Sequence, residues 1–353
     1  MSDAVVAPRA NPLLLGHEAA EATLIEAARA GRLHHAWLIA GPAGIGKATL
    51  AFRFARWLLA VAPSPSGARR DDAGEGAGLA LDPAHPVFRR VAAGSHADLL
   101  TIERGFDDKR KRQRREILVE DVRVLGGFLR LTPAEGGWRV VVVDGAEALN
   151  RNAANALLKL LEEPPPRAIL LLVCSAPGRL LPTLRSRCRT LRLAPLAAPV
   201  MAALLGRLLP ETAPAERARL AALAEGAPGR ALALAEEDGL RLAGLVAETL
   251  AALPALTPDR AHEIADRVLA GEEGGFEVFA DLLRDALARA LREAGRGGSA
   301  PAWLAARPLE AWAELWHAIG RLQDETGRFY LDKRQATLMT LFRAANLPGV
   351  RTS

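Results

Sequence analysis

Gly41-Pro42-Ala43-Gly44-Ile45-Gly46-Lys47 sets three glycines and a lysine directly after a short apolar run, Trp37-Leu38-Ile39-Ala40. Glycines in this pattern let the backbone fold back so that successive N–H groups converge. Lys47 adds a positive charge where the end of a polyphosphate chain would sit. The spacing is G-x-x-x-x-G-K, a phosphate-cradling loop. The apolar pattern behind it (Leu50, Ala51, Phe54, Ala55, Leu58) predicts a helix whose positive end points at the same spot. One group is missing: the residue after the lysine should carry a hydroxyl for Mg²⁺, and it is Ala48. The candidate phosphate-binding set is Gly41, Gly44, Gly46 and Lys47, with Thr49 as the nearest hydroxyl, about 100° further round the helix.

Arg139-Val140-Val141-Val142-Val143-Asp144 carries the second chemical signal, a β-branched run of the kind a central parallel strand requires, ending in a carboxylate. On a phosphate-binding sheet that carboxylate orients Mg²⁺ and its water. Alone, Asp144 reads also as a helix cap at a strand end. Hydrolysis in ring-forming ATPases needs a further carboxylate at the next position to activate water, and that position is Gly145. Glu147 follows two residues later, where the intervening helix or loop is expected to turn it elsewhere, so it is not assigned as the base.

The elements that must position these groups alternate. A helix is expected over Glu18 to Arg32, then strands at Trp37–Ala40, Asp98–Ile102, Arg139–Asp144, Ala168–Cys174 and Thr190–Leu193, with amphipathic helices over Val119–Leu131 and Asn152–Glu163. Five short apolar strands alternating with helices predict an α/β fold with a doubly wound, five-stranded parallel sheet, whose ligands bind at the carboxyl ends of the strands. Ser175 falls at one such end. Pro63 to Pro86 has no apolar period and reads as a surface insertion. From Leu196 onward only helices are expected: short ones over Val200–Leu209, Ala215–Glu225 and Arg230–Glu237, then longer ones over Asp259–Ala270, Phe276–Ala294, Leu309–Asp324 and Leu331–Ala345. This predicts domains at 1–195, 196–254 and 255–353. Trp303, Trp312 and Trp316 are expected to fill the core of the last bundle, a subunit contact being the other reading.

Composition narrows the class. The 353 residues carry 46 Lys and Arg against 41 Asp and Glu, a net charge of +5 that fits an acidic partner only weakly. Two cysteines, Cys174 and Cys188, are too few for a disulfide framework or a four-cysteine zinc site, which points to a reducing compartment. No apolar run reaches the roughly 18 residues of a membrane span, and Met1 to Ala10 has no leader pattern, so a cytoplasmic protein is expected. Adjacent His34 and His35 point to opposite sides of an extended segment and are expected to be polar loop residues, and His17 a packed or capping residue. Lys109-Arg110-Lys111-Arg112-Gln113-Arg114-Arg115 holds six bases in seven residues. Without an aromatic for stacking it reads equally as a DNA-backbone contact and as a solvated loop.

Taken together, Gly31 to Trp37 running into Gly41 to Leu50, Val140 to Asn150, Asn155 to Lys159 with Leu161-Glu162-Glu163-Pro164-Pro165, and Leu184-Arg185-Ser186-Arg187-Cys188 resemble the AAA+ clamp-loader family. The likeness covers about residues 12–200; beyond, the helical pattern and Tyr330 to Gln335 carry it. The Ser-Arg-Cys triplet after a Leu-Glu-Glu-Pro-Pro helix is the specific element. The resemblance implies an AAA+ core, a helical lid and an all-α collar that packs into a hetero-pentameric ring with gamma/tau motor and delta subunits and loads a sliding clamp onto primed DNA. It implies that Arg187 reaches a neighbour's γ-phosphate in trans, that Ser175 is the first sensor and that Arg230 is the second. Without the triplet, Arg187 between Arg185 and Arg189 reads as a surface base. Family members often carry four zinc-binding cysteines after the first helix, and Val61 to Ser95 contains none, so no zinc is expected. With Ala48 and Gly145 in place, ATP and Mg²⁺ would be held weakly and turned over slowly or not at all. The alternative is a catalytically active motor ATPase.

Overall fold

A sheet strand made almost wholly of Val, Leu and Ile is stable only with both faces covered, and three such stretches become the middle of this molecule. The structure is a computed structural model that describes residues 7–61, 78–107, 112–135, 137–236, 238–253, 255–271 and 275–346. The strands in chain order are β1 (Ala36–Ala40), β2 (Leu99–Ile102), β3 (Phe106–Asp107), β4 (Arg112–Gln113), β5 (Arg139–Asp144), β6 (Ala168–Cys174) and β7 (Arg189–Arg192). Five of them form a parallel sheet in the order β2-β5-β6-β1-β7, while β3 and β4 pair antiparallel as a small separate hairpin. All five residues of β1 and all seven of β6 are buried. After β1 the chain crosses to the far edge at β2, returns through β5 and β6, and passes β1 to reach the opposite edge at β7, a doubly wound order as expected.

Period-two alternation sorts the strand side chains onto two cores. Trp37, Ile39, Val140, Val142, Ile169, Leu171 and Val173 face α1 (Glu18–Arg29), α2 (Lys47–Val61) and α3 (Pro86–Ala92) through Leu24, Leu50, Phe54, Val87 and Phe88. Leu38, Val141, Val143, Leu170 and Leu172 face α4 (Val119–Arg130) and α5 (Arg151–Glu162) through Val122, Leu125, Leu157 and Leu161. Helix α5 starts where the Asn150 side chain accepts the Ala153 N–H at 2.8 Å, and three prolines after Glu163 end it. The edge strand β7, Arg-Thr-Leu-Arg, is charged and mostly exposed, which discourages further strand pairing.

Buried charges tie the connections to the sheet. Asp98 is fully buried, accepts the N–H groups of Ala134 and Glu135 at 2.8 and 3.0 Å, and faces Arg139 at 3.5 Å. Arg139 in turn donates to the Leu131 and Thr132 carbonyls at 2.8 and 2.7 Å, so the stretch from Leu131 to Glu135 is pinned to the start of β5. Arg56, buried in α2, donates to the Arg9 and Asn11 carbonyls at 2.8 and 2.7 Å and lies over Phe88; burial pulls its guanidinium down to about 10. His34 and His35 do not point to opposite sides as expected: their rings stack with centroids 4.3 Å apart, and they bond to the Ala36 and Leu161 carbonyls in the loop before β1.

The remaining helices are α6 (Pro182–Arg185), α7 (Ala198–Leu208), α8 (Pro214–Ala224), α9 (Pro228–Glu236), α10 (Gly239–Ala252), α11 (Pro258–Leu269), α12 (Gly275–Gly295), α13 (Leu309–Phe329) and α14 (Lys333–Ala345). The chain divides into two compact units, Met1–Thr212 with Ala221–Arg230 and Ala213–Leu220 with Ala231–Ser353. In the second, Trp312 is fully buried and donates its ring N–H to the Leu304 carbonyl at 2.9 Å. Trp303 and Trp316 are only partly buried, at the edge of that core, Trp303 edge-on to Trp312 and Trp316 beneath the Arg284 guanidinium. Three helices, α3, α6 and α10, and the β3–β4 hairpin have no counterpart in the expectations from sequence; β1 and β7 begin one residue earlier than expected and β2 one later. No helix among the described residues is long and apolar enough to cross a membrane.

Candidate functional site

The phosphate loop joins β1 to α2. Gly44 takes φ of +74°, a left-handed conformation that an L side chain resists, and the backbone of Arg230 lies 3.0 Å from where its Cβ would be. Three of the loop carbonyls are engaged: Gly229 N–H donates to Gly44 O at 2.8 Å, His17 Nε2–H donates to Ile45 O at 2.7 Å, and Lys47 Nζ donates to Pro42 O. His17 is thus a packed residue, buried with its ring against the loop. Lys47 opens α2 almost fully buried, and burial lowers the affinity of its ammonium for a proton, with the Glu147 and Asp144 carboxylates acting the other way. Ala48 packs partly buried against the first core, and Thr49 is buried within α2.

Asp144 ends β5. Burial first, then the neighbouring Glu103 and Glu147 carboxylates, holds it above the usual carboxylate range, with Lys47 and Arg104 opposing. The next residues correct an expectation. Glu147 is not turned away: Gly145 adopts the left-handed conformation at φ of +79°, and Ala146–Ala148 close a single 3₁₀ turn through Ala148 N–H to Gly145 O at 2.8 Å. That reversal carries Glu147 back over the sheet, where its carboxylate accepts the Ser175 N–H at 3.1 Å. A glycine directly after the strand's terminal aspartate was the available signal, because only such a residue lets the chain double back so tightly.

Lys47, Asp144, Glu147 and Ser175 therefore cluster at the carboxyl ends of β1, β5 and β6. Beside them opens a cavity of about 310 Å³ lined by Glu103, Arg104, Arg115, Asp144, Glu147 and Arg179, a mixture of both signs that spacing alone did not reveal. Cys174, under the cluster, has its thiol pushed up to about 11 by burial and then by Glu147; Cys188 is pushed up to about 12 by burial. Neither is a thiolate near neutral pH. No group of three or more His, Cys, Asp or Glu among the described residues could hold a metal ion.

Arg187 is held elsewhere. Its Nη2 meets Glu162 Oε1 at 2.8 Å and its Nη1 donates to the Thr183 carbonyl at 2.9 Å, with 37% of the side chain exposed. Arg230 lies in the first turn of α9 beside Gly44, its N–H donating to Ala227 O at 3.0 Å. Of the basic run, Lys109 to Lys111 lie outside the described residues; Arg114 donates its backbone N–H to Gly105 O at 2.7 Å and faces Asp121 at 3.8 Å, while Arg115 lines the cavity. The glycine-rich loop with Lys47, the Asp144 and Glu147 carboxylates and the half-exposed Arg187 are thus each fixed by a different element.

Comparison with known proteins agrees with this assembly of parts. A family model described as "DNA polymerase III, delta subunit" matches residues 16–197, just over half of the chain. DNA polymerase III subunit delta' of Pseudomonas aeruginosa is 41% identical over 195 residues, covering 55% of this chain and 53% of the relative. Subunit delta' of Escherichia coli is 36% identical over 232 residues, covering 65% and 62%. The tau subunit of Escherichia coli is 29% identical over 287 residues, covering 79% of this chain and 40% of its own. The matched stretches thus span between half and two thirds of the two delta' relatives. Phosphate loop, strand-end aspartate and Ser-Arg-Cys triplet all fall inside the family match, and the chain belongs to the DNA polymerase III delta-subunit family.

Proposed function

We propose that this chain is the delta-prime subunit of a DNA polymerase III clamp loader, a largely non-hydrolysing AAA+ subunit that completes a neighbour's ATP site with Arg187. Residues 1–195 are its nucleotide-type core, 196–254 its lid and 255–353 its collar. Its partners are gamma/tau motor and delta subunits in a five-membered ring, and through the ring a sliding clamp and primed DNA. ATP with Mg²⁺ binds weakly in its own pocket, contacted by Gly41, Gly44, Gly46, Lys47, Thr49 and Asp144, with Ser175 and Arg230 as sensors.

One observation carries the reading: Arg187 sits partly exposed on the surface, supported by Glu162 and Thr183, while the pocket has alanine and glycine where hydrolysis needs a hydroxyl and a carboxylate. An arginine delivered in trans to a γ-phosphate contributes on the order of 10³ or more in rate. The test is a reconstituted ring carrying Arg187→Ala. Its ATPase rate and clamp loading should fall by at least tenfold with the ring intact by size-exclusion chromatography; unchanged activity would remove the trans role. ATP turnover by the isolated chain at ordinary motor rates, abolished by Lys47→Ala, would favour the motor alternative instead.

A further inference from the structure

Arg187 and Glu162 are brought together from separate elements, and both lie close to buried anchors. Glu162 is the last residue of α5, one position after buried Leu161, and the following prolines prevent the helix from extending past it. Arg187 follows the single turn of α6, three positions after Leu184, which is fully buried in the same core as Leu161. The two side chains therefore extend from fixed points. A guanidinium has five N–H bonds. Here one is used on the Glu162 carboxylate and one on the Thr183 carbonyl, which leaves three for a ligand approaching from the exposed side.

The pair is half open to solvent, Glu162 at 50% and Arg187 at 37%, so it contributes little to folding. What it does is limit where the long arginine side chain can point. We infer that Glu162 is a positioning residue for Arg187: it holds the guanidinium in one orientation before a neighbouring subunit's nucleotide arrives, so that reaching the phosphate needs little further ordering. The inference rests on the trans role of Arg187 and adds to it the device that keeps that arginine ready. Freeing such a side chain lowers the fraction of time it spends in the competent orientation, by roughly three- to tenfold for one long side chain.

The experiment measures steady-state ATPase of the reconstituted ring with Glu162→Ala, Glu162→Gln, Arg187→Ala and the double variant Glu162→Ala with Arg187→Ala. Glu162→Ala should lower kcat three- to tenfold with KM for ATP within twofold of wild type. Glu162→Gln, which keeps an oxygen to accept the Nη2–H, should recover much of the loss, and the double variant should be no slower than Arg187→Ala alone. A rate that rises in Glu162→Ala would mean that Glu162 restrains the arginine, and the inference would fail. Equal further loss in the Arg187→Ala background would show a merely structural effect and overturn it too. If Arg187→Ala itself changes nothing, the trans role fails first; if Arg187→Ala is slow and Glu162→Ala is normal, only the positioning role is lost. Thermal unfolding of each isolated variant, expected within about 2 °C of wild type for so exposed a pair, separates these outcomes from misfolding.

Discussion

Glu147→Gln should tighten nucleotide binding at the proposed pocket. The wild-type carboxylate accepts the Ser175 N–H and is the largest electrostatic influence on Lys47, so a phosphate arriving at the loop meets a fixed negative charge at the far side of its own site. For a unit charge on a phosphate held by Lys47, taken at about 7 Å from that carboxylate, Coulomb's law sets the scale. At an effective dielectric of about 20 this is a repulsion of ~2–3 kcal/mol, and about half remains after screening through the half-open site. The residual ~1–1.4 kcal/mol corresponds to a five- to tenfold tighter Kd. Glutamine retains an oxygen for the Ser175 N–H, so the 3₁₀ turn has no reason to move. A fluorescent ADP analogue titrated into wild type, Glu147→Gln and Lys47→Ala measures the effect, the last variant marking the floor. Equal affinities for wild type and Glu147→Gln, or no binding by either, would refute the electrostatic account and leave loop geometry as the obstacle.

Two other outcomes follow from the same site. Asp144 has its folded pKa raised above the unfolded value of 3.8, so its contribution to stability is full below that value and is lost as pH rises through the folded pKa. Asp144→Asn should therefore raise the melting temperature of the nucleotide-free chain at pH 7, with the gain vanishing below about pH 4; an equal gain at both pH values would point to packing instead. At Gly229 a new Cβ would lie 3.1 Å from both Gly44 Cα and Gly44 O, so Gly229→Ala must stretch the 2.8 Å bond to the phosphate loop. The loss of about 1 kcal/mol, one backbone hydrogen bond, should lower the midpoint of thermal unfolding by about 2–4 °C. No change in the midpoint would mean that the first turn of α9 rests on the loop without supporting it.

Much of the first unit could be read along the chain because its signals are local. The runs at Trp37–Ala40, Arg139–Asp144 and Ala168–Cys174 are too apolar for anything but buried strands, and glycines with a lysine behind the first of them announce the phosphate loop. Helices α3, α6 and α10 went unread. The seven residues of α3 lie beside a Pro- and Gly-rich stretch and depend on a His85 cap, whose ring accepts the Val87 N–H at 3.1 Å. Trp303 and Trp316 look no different in sequence from Trp312, yet only the last finds both an enclosed place and a carbonyl for its ring N–H.

Sequence alone determined the strands, the loop chemistry and the two absent groups, since these depend on residue type and on neighbours a few positions away. Folding decided the company each group keeps. Glu147 meets Ser175 across 28 residues of chain, and Gly229 meets Gly44 across a far longer span. Contacts of that kind depend on where two backbones pass in space, which hydrophobic burial of the whole sheet dictates and no local pattern records. A single left-handed glycine at 145 then turns a carboxylate by enough to place it inside the pocket rather than outside it.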